Sequence, residues 1–388
     1  MNHDPLHFTQ MLVCELPFIL NLPTEGYPVK IDGKEMQLLV GQDYYALFKR
    51  ARPIGFVPRD AIARLGVNSW DTALPLHTII LYQESVVVPY EDSLKIGESE
   101  IKNILRSEEI RRWVLNLQNR LEDSELDRIV SEKFSELDAI QYQHYVKIAL
   151  AWENQPSIER QDFFVKCVNY LIKSYMAYFR DPFAHEITLN RLASGDFIPG
   201  VQCLVVDTKS GNILYGVNRI GHAPPILRSQ WAEHPENIIQ KFKHTISLGQ
   251  VNDPVALLQV RSYHFIHIGA YRSAIIEASA ALETCVARKI RKYMLAAGES
   301  EPDVCTFLRQ RGNWRFEERA KKMLKEKTGV SAADIDPVLW QEVQDRRTNY
   351  RDRIAHSDKD PNEQEAKDTV KIFLALIDLI NKKIPDPS

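Results

Sequence analysis

The stretch that decides how this chain is interpreted is Arg351–His356, with the sequence RDRIAH, near the C-terminus. Apolar residues leading into it recur at steps of four and seven, at Leu339, Val343, Tyr350 and Ile354. This spacing places one apolar stripe on an amphipathic helix that runs into the stretch. The sequence therefore predicts a helix whose polar side carries arginine, aspartate and histidine.

A regular helix would not place Arg351, Asp352 and His356 on one face. Asp352 and His356 are four positions apart and would be neighbours. Arg351 and His356 are five apart, so their side chains would diverge by roughly 140° around the helix axis. We therefore expect the helix to end or bend near His356 if Arg351 and His356 act on one ligand.

Two further amphipathic patterns flank the stretch, each with an apolar stripe at steps of three and four. The preceding stripe comprises Ile275, Ser279, Leu282, Val286 and Ile290. The following stripe comprises Ala366, Val370, Phe373, Ile377 and Ile380. Asp360, Pro361 and Glu363 predict the start of the last helix, with aspartate as N-cap, proline in the first turn and glutamate at the capping-box position.

Helical patterns also occupy the segments before and between these elements. They span Glu236–Ser247, Pro254–His267 and about Trp314–Lys327, and Gly269 is a candidate C-cap for the second. Since every pattern after Pro235 is helical, the sequence predicts an all-α domain over residues 236–388.

The RDRIAH stretch and the preceding segment Gly269–Glu283 together resemble the HEPN superfamily. The resemblance covers about residues 250–384. It implies an all-α bundle in which an arginine and a histidine separated by four to six intervening residues mark metal-independent endoribonucleases built across a homodimer interface. Such proteins commonly act as toxins, phage-defence effectors or CRISPR-associated nucleases, which would make RNA the substrate and an activator or antitoxin a candidate partner.

The resemblance also implies a role for individual residues. His356 would be the general base or acid, since histidine exchanges protons near neutral pH. Arg351 would contact the scissile phosphate through its planar fork. Asp352 would orient Arg351 or His356, and Glu277 and Glu283 are candidates to hold Arg351 from the preceding helix. Neither a metal nor a cofactor is required for this chemistry.

The spacing of the motif alone is not specific, because it occurs four times: at Arg180/His185, Arg228/His234, Arg261/His267 and Arg351/His356. Arg228/His234 lies in a connector, and Arg261/His267 would lie inside a helix. The segment Arg180–His185 repeats the Arg-Asp-x-x-Ala-His pattern, but Pro182 would break a helix there. A second HEPN-like site at Arg180 and His185 is therefore an open alternative to coincidence.

Residues 1–230 alternate short apolar runs with turns and then change to long charged segments. Helical periodicity predicts a helical insert over about residues 98–180, and hairpin turns are expected at Asp32–Gly33 and Asp207–Gly211. Strands are expected over about residues 8–92 and 200–218, with the first group at Gln10–Cys14, Phe18–Leu22, Tyr27–Ile31, Met36–Val40 and His77–Leu81. The predicted class is α+β, with a β-rich N-terminal region followed by a helical bundle.

The role of residues 1–230 does not follow from any motif within them. They contain no Gly-rich phosphate loop, His-Glu-x-x-His or Gly-x-Ser-x-Gly pattern. Tyr44–Arg52 combines tyrosines with basic residues, which suits stacking on nucleic acid and equally suits an amphipathic helix face. Because HEPN domains are often fused to sensors, this region is a candidate sensor domain.

Composition sets the outer limits of these interpretations. The 388 residues suffice for two or three domains, and a net charge of −3 argues against a uniformly basic, nucleic-acid-coating protein. The five cysteines show no paired spacing, so neither a disulfide framework nor a zinc site is indicated. The apolar run Met11–Leu22 is interrupted by Glu15 and Pro17, so we expect no signal peptide, no membrane segment and a cytoplasmic protein.

The C-terminal motif is also compatible with two roles that involve no catalysis. Related HEPN-like domains include non-catalytic members that dimerise or bind RNA or nucleotides. A buried neutral His356 that caps a helix, beside a surface pair of Arg351 and Asp352, would also account for the same residues.

Overall fold

The structure of the protein is a computed structural model. It describes residues 6–16, 18–41, 78–88, 96–115, 122–154, 157–187, 202–209, 213–216, 234–249, 253–309, 315–356 and 360–387. The Tyr44–Arg52 segment lies outside these described residues.

The chain forms two compact units. The first comprises Met1–Leu171 with Glu186–Gly249, and the second comprises Ile172–His185 with Gln250–Ser388. A sheet with helices forms the first unit, and the described part of the second is helical, so the fold class is α+β as predicted. The chain passes between the two units after Leu171, His185 and Gly249, whereas the sequence suggested one boundary near residues 230–236.

The first unit contains, within the described residues, a six-stranded sheet of order β2-β3-β4-β1-β5-β6 in which every neighbouring pair is antiparallel. The strands are β1 Leu6–Leu16, β2 Glu25–Ile31, β3 Lys34–Gly41, β4 Thr78–Val88, β5 Gln202–Asp207 and β6 Ile213–Gly216. The central strand β1 buries the consecutive residues Met11–Cys14, as expected for a strand that is covered on both faces.

The predicted hairpin at Asp32–Gly33 is confirmed. Both residues have positive φ angles, 51° and 76°, and they join β2 to β3 with Ile31 opposite Lys34. Two consecutive positive φ angles are the mark of a type I′ turn, whose twist matches that of antiparallel strands.

The strand expected at Phe18–Leu22 is not formed. Phe18 and Leu20 are fully buried, so the apolar run does reach the core. The Leu20 N–H, however, donates to the Thr78 hydroxyl at 2.7 Å, and the Leu22 N–H donates to the Leu20 carbonyl at 2.7 Å. Local and side-chain hydrogen bonds therefore satisfy this backbone in place of a strand ladder.

Five helices accompany the sheet among the described residues: α1 Glu98–Leu115, α2 Asp123–Ser135, α3 Ala139–Glu153, α4 Ile158–Phe179 and α5 Glu236–Ser247. The last turns of α4 belong to the second unit. Helix α5 belongs to the first unit, where Lys243 forms an ion pair with Glu25 and the Phe242 ring lies 6.3 Å from that of Tyr27. These contacts with β2 are the reason that α5 does not begin the helical domain as expected.

The second unit is built from helices that share one core. They are α6 Pro254–His267, α7 Tyr271–Ala296, α8 Glu301–Arg309, α9 Phe316–Glu318, α10 Leu324–Thr328, α11 Ala332–Ile335, α12 Pro337–Arg346, α13 Arg353–His356 and α14 Glu363–Lys383. Asp253 caps α6 by accepting from the Val255 N–H at 3.0 Å, and Gly269 follows α6 with a φ of 75°. The Gly269 position thus needs the left-handed backbone that glycine adopts readily.

Two helices of this unit contain π-helical segments, which the sequence did not predict. Segment π1, Arg319–Met323, connects α9 to α10, and segment π2, Arg347–Asp352, connects α12 to α13. A π turn is closed by hydrogen bonds between residues five apart and is often found at functional sites. The predicted bend in the helix of the RDRIAH stretch therefore takes the form of a π segment, located before His356 instead of at it.

The core of the second unit confirms both flanking stripes. The described interior residues of α7 and α14 include every predicted stripe member, each 1% exposed or less: Ile275, Ser279, Leu282, Val286, Ile290, Ala366, Val370, Phe373, Ile377 and Ile380. The predicted cap of α14 is wrong by two residues, because Asn362 is the N-cap and Glu365 completes the capping box. Among the described helices, none has the length and apolar character needed to span a bilayer.

We expect Phe373→Ala to lower the free energy of unfolding of the second unit by about 3–5 kcal/mol, because it empties a fully buried ring position in α14. Val338→Ala is the matched control, since Val338 is 72% exposed and should change stability by no more than about 0.5 kcal/mol. Urea denaturation followed by circular dichroism measures both. Equal stability of the two variants would contradict the placement of Phe373 in the core.

Candidate functional site

The candidate site is organised around the carboxylate of Glu283 on α7. Its Oε1 lies 2.8 Å from Nη1 of Arg347 and 3.7 Å from Nη2 of Arg351. Arg351 Nη1 also donates to Asp352 Oδ1 at 3.1 Å. The structure thus brings together Arg351, Asp352 and Glu283, three of the five residues singled out in the sequence.

Arg347 is a member of this site that the sequence motif did not reveal. Its side chain is 11% exposed, its Nη1 donates to the Ser279 hydroxyl at 2.7 Å, and its guanidinium lies 4.2 Å from the centre of the Phe316 ring. Arg347 therefore fixes Glu283 from inside the unit, whereas the Arg351 side chain is 32% exposed. The spacing of four between the two arginines, matched by the spacing of four between Ser279 and Glu283, was the available signal.

Helix α7 makes a second contact with the RDRIAH stretch. Arg272, in its first turn, donates through Nη2 to the carbonyl of Ile354 at 3.0 Å. Arg272, Ser279 and Glu283 follow one another at steps of seven and four, so they lie on one face of α7. This polar face therefore contacts both π2 and α13, the segment that leads to His356.

Glu277 does not join the cluster, so its expected role in holding Arg351 is corrected. It lies six positions before Glu283, which turns it by roughly 120° around the helix axis. Burial raises the pKa of its carboxyl group, and the charge of Arg261 partly offsets that effect. Its Oε2 atom is buried without a hydrogen-bond partner among the described residues.

The structure describes His356 as the last residue of α13, and its side chain lies outside the described residues. The helix that leads to it is fixed by the Arg272 hydrogen bond and by Tyr350, whose hydroxyl donates to Glu365 Oε1 at 3.1 Å. Glu365 also serves in the capping box of α14. One carboxylate thus connects the start of the last helix to segment π2.

The second Arg-Asp-x-x-Ala-His copy has a different backbone. Arg180 directly follows α4 and has a φ of 57°. Residues 180–187 are not helical, which agrees with the expectation that Pro182 would break a helix there. Asp181 is 8% exposed. Its carboxylate accepts one hydrogen bond from the Tyr175 hydroxyl at 3.1 Å and another from the Phe183 N–H at 2.9 Å. In this copy the aspartate stabilises a turn.

The histidine of this second copy lies against α6. The His185 ring is 5.3 Å from that of His264, whose Nδ1 lies 2.8 Å from the Pro182 carbonyl oxygen. Burial lowers the pKa of His264, and the nearby His267 acts in the same direction. Arg180 donates to a different partner, Gln259, at 2.5 Å. The repeated pattern therefore does not reproduce the carboxylate-held arginine found at Arg351.

The RDRIAH stretch and the helix face that contacts it form a cationic site that can donate hydrogen bonds. Arg346, Arg347, Arg351 and Arg353 are consecutive cations along α12, π2 and α13, against the carboxylates of Glu283 and Asp352. Guanidinium forks bind phosphate oxygens without a metal. Among the described residues, no group of three or more histidine, cysteine, aspartate or glutamate side chains is arranged to hold a metal ion.

Comparisons of the chain with models of known families, with curated proteins and with solved structures found no match.

We expect Glu283→Gln to lower the free energy of unfolding of the second unit by about 1–3 kcal/mol, because it leaves the nearly buried Arg347 without its counter-charge. Glu342→Gln removes one carboxylate from an exposed position on α12 and should be nearly neutral. Thermal and urea unfolding of both variants measures this difference. A stability equal to that of Glu342→Gln would mean that Glu283 does not anchor the arginines.

Proposed function

We propose that the second unit is a HEPN-type, metal-independent endoribonuclease that cleaves single-stranded RNA at a site formed across a homodimer. The observation that carries this proposal is the geometry of Arg351, which is held by Glu283 and Asp352 while 32% of its side chain stays exposed. An arginine used only for packing would resemble Arg347, which is 11% exposed. Arg351 is oriented by carboxylates and remains accessible to a ligand.

In the proposed reaction, Arg351 binds a non-bridging oxygen of the scissile phosphate. Its guanidinium neutralises the charge that grows on the phosphate as the pentavalent transition state forms. Glu283 and Asp352 are positioning residues, since they fix the fork before RNA arrives and so lower the entropic cost of binding. The partial neutralisation of Arg351 by these carboxylates also limits indiscriminate binding of polyanions.

RNA supplies the nucleophile, so the protein needs to move only protons. A base takes the proton of the ribose 2′-hydroxyl, the resulting oxygen attacks phosphorus, and the 5′-oxygen leaves with a proton from an acid. The products are a 2′,3′-cyclic phosphate and a 5′-hydroxyl end. We assign this proton transfer to His356, and the two copies of His356 in a homodimer would supply one base and one acid.

The polar face of α7 supports a dimer contact next to this site. Ile276 is 38% exposed and lies three positions before Ser279 and seven before Glu283, which places it on that face. Ile268, at the end of α6, is 52% exposed. We infer that a partner copy covers Ile276 on this face, and a two-fold axis there would bring two copies of Arg351 together.

The first unit would then act as the sensor of a phage-defence or toxin effector in the cytoplasm. This part of the proposal rests on the division of the chain into two compact units, only one of which carries the Arg-Asp-x-x-Ala-His pattern. Limited proteolysis with candidate activators tests it. Unchanged protection of Met1–Leu171 under all conditions would argue against a sensor role.

We expect purified protein to cleave end-labelled single-stranded RNA in the presence of EDTA, with 2′,3′-cyclic phosphate ends. His356→Ala should lower the cleavage rate on the order of 10²–10⁴-fold by removing the proton-transfer group. Arg351→Ala should lower it comparably by removing phosphate binding, whereas Arg128→Ala, an exposed arginine on α2, should leave it unchanged. Quantified product formation in single-turnover reactions measures the three rates.

Two outcomes of this experiment would contradict the proposal. Cleavage that persists in both His356→Ala and Arg351→Ala would place the activity elsewhere. RNA binding by the wild type without cleavage, unchanged by His356→Ala, would support the non-catalytic RNA- or nucleotide-binding module instead. Relief of growth inhibition by Arg351→Ala during expression is an independent check, since a constitutive ribonuclease would harm its host.

We expect Ile276→Arg to shift the protein from dimer to monomer and to abolish cleavage, because it places charge in the proposed interface. Ile140→Arg, at a position that is 79% exposed on α3, is the matched control and should preserve both properties. Light scattering coupled to size-exclusion chromatography reports the oligomeric state. A dimer that survives Ile276→Arg would exclude this face of α7 from the interface.

A further inference from the structure

A second charged site lies on the other side of α7, in a cavity of about 310 Å³ within the second unit. Three cations line it, and two carboxylates face them: Asp253, Arg288, Lys289, Lys292 and Asp386, with Asn381 completing the polar wall. Lys289 lies six positions after Glu283, which turns it by roughly 120° from the Arg351 cluster. The cavity is therefore distinct from the proposed ribonuclease site.

The carboxylate of Asp386 occupies this site. Its Oδ1 lies 2.9 Å from Nζ of Lys289, and its Oδ2 lies 2.5 Å from Nζ of Lys292. The Lys289 ammonium also donates to the Ile384 carbonyl at 2.6 Å. The two oxygens of Asp386 thus bridge two ammonium groups, as two oxygens of a phosphoryl group would.

Lys289 is the residue that makes an anion necessary here. Its side chain is 8% exposed, whereas that of Asp386 is 51% exposed. A buried ammonium left with only a carbonyl partner would lose its counter-charge, which is strongly unfavourable. If Asp386 departs, an anion that takes its place restores this counter-charge.

The two carboxylates of the cavity differ in how firmly they are fixed. Asp253 pairs with Arg288 and also caps α6 through the Val255 N–H, so its removal would disturb a helix. Asp386 follows α14 in non-helical backbone and has no capping role among the described residues. Ile384 is 2% exposed and the Tyr293 hydroxyl donates to the Pro385 carbonyl at 3.1 Å, so the chain is anchored up to Pro385 and displacement concerns only the residues beyond it.

We propose that this cavity binds the phosphomonoester group of a ligand, and that Asp386 is an internal occupant which the ligand displaces. The five charged side chains give the cavity a net charge of +1, and this rises to +2 when Asp386 leaves. A phosphomonoester dianion matches that charge and offers more acceptor oxygens than a carboxylate.

The occupant is a carboxylate that is charged under all physiological conditions. Hydrogen bonds from Lys292 and then Lys289 lower the pKa of Asp386 to about 2. The contact is therefore present at neutral pH and is lost only as the pH falls through this value, so displacement by a ligand, not protonation, is the way to open the site.

Binding of inorganic phosphate to the full chain tests the proposal directly, by calorimetry and by ³¹P line broadening. Asp386→Asn keeps the shape of the occupant but removes its charge, and should tighten phosphate binding by about tenfold. Lys292→Ala, at a side chain that is 38% exposed, should weaken it at least about tenfold. Asp345→Asn and Lys382→Ala carry the same charge changes outside the cavity and should behave as the wild type.

Equal phosphate affinity of wild type and Asp386→Asn would overturn the proposal, as would the absence of binding in every variant. Thermal unfolding confirms that the compared variants are folded. Competition experiments then distinguish a small-molecule ligand from an RNA end. Displacement of bound phosphate by a nucleoside monophosphate indicates a small molecule. Displacement by RNA with a 5′-phosphate, but not by the same RNA with a 5′-hydroxyl, indicates an RNA end. The assay needs no cleavage, so it stands or falls independently of the ribonuclease. Any phosphate that binds at Arg351 is removed by Arg351→Ala, and this variant should keep the cavity-bound phosphate that Lys292→Ala loses.

Discussion

The shared carboxylate of Glu283 is the interaction on which the candidate site depends. It pairs with Arg347 at 2.8 Å inside the unit and with Arg351 at 3.7 Å towards the surface. The inner arginine secures the glutamate. The outer arginine shares that glutamate, pairs with Asp352 at 3.1 Å and keeps 32% of its side chain exposed. The π segment Arg347–Asp352 carries both arginines, so the irregular backbone and the charge arrangement occur at the same place.

A π segment has a cost that a purely structural helix would avoid. Its hydrogen bonds span five residues, and it is uncommon unless the surrounding contacts hold it in place. Here those contacts are supplied from three directions: the glutamate of α7, the Phe316 ring over Arg347, and Glu365 at the Tyr350 hydroxyl. The irregularity is therefore held by the tertiary structure around it.

Sequence periodicity predicted the helices of the second unit and their buried stripes, because apolar residues at steps of three and four lie on one face of a helix and that face packs into the core. The resemblance to the HEPN superfamily placed Arg351, Asp352 and Glu283 in one site. Neither periodicity nor the resemblance predicted Arg347, which contacts Ser279 and Phe316 in the structure. The expectations for Phe18–Leu22, Glu277 and the cap of α14 were wrong, because strand pairing, rotation about a helix and cap choice depend on distant partners that a local pattern does not contain.

Helix α7 is a single 26-residue rod, about 39 Å long at 1.5 Å per residue. Glu283 and Lys289 project from this rod in different directions, one to the arginines of the motif and the other to the residues that follow α14. A regular helix turns as one body, so any rotation that repositions one of these side chains repositions the other. Glu283 and Lys289 therefore fix the two charged sites about 9 Å apart along the axis of one helix.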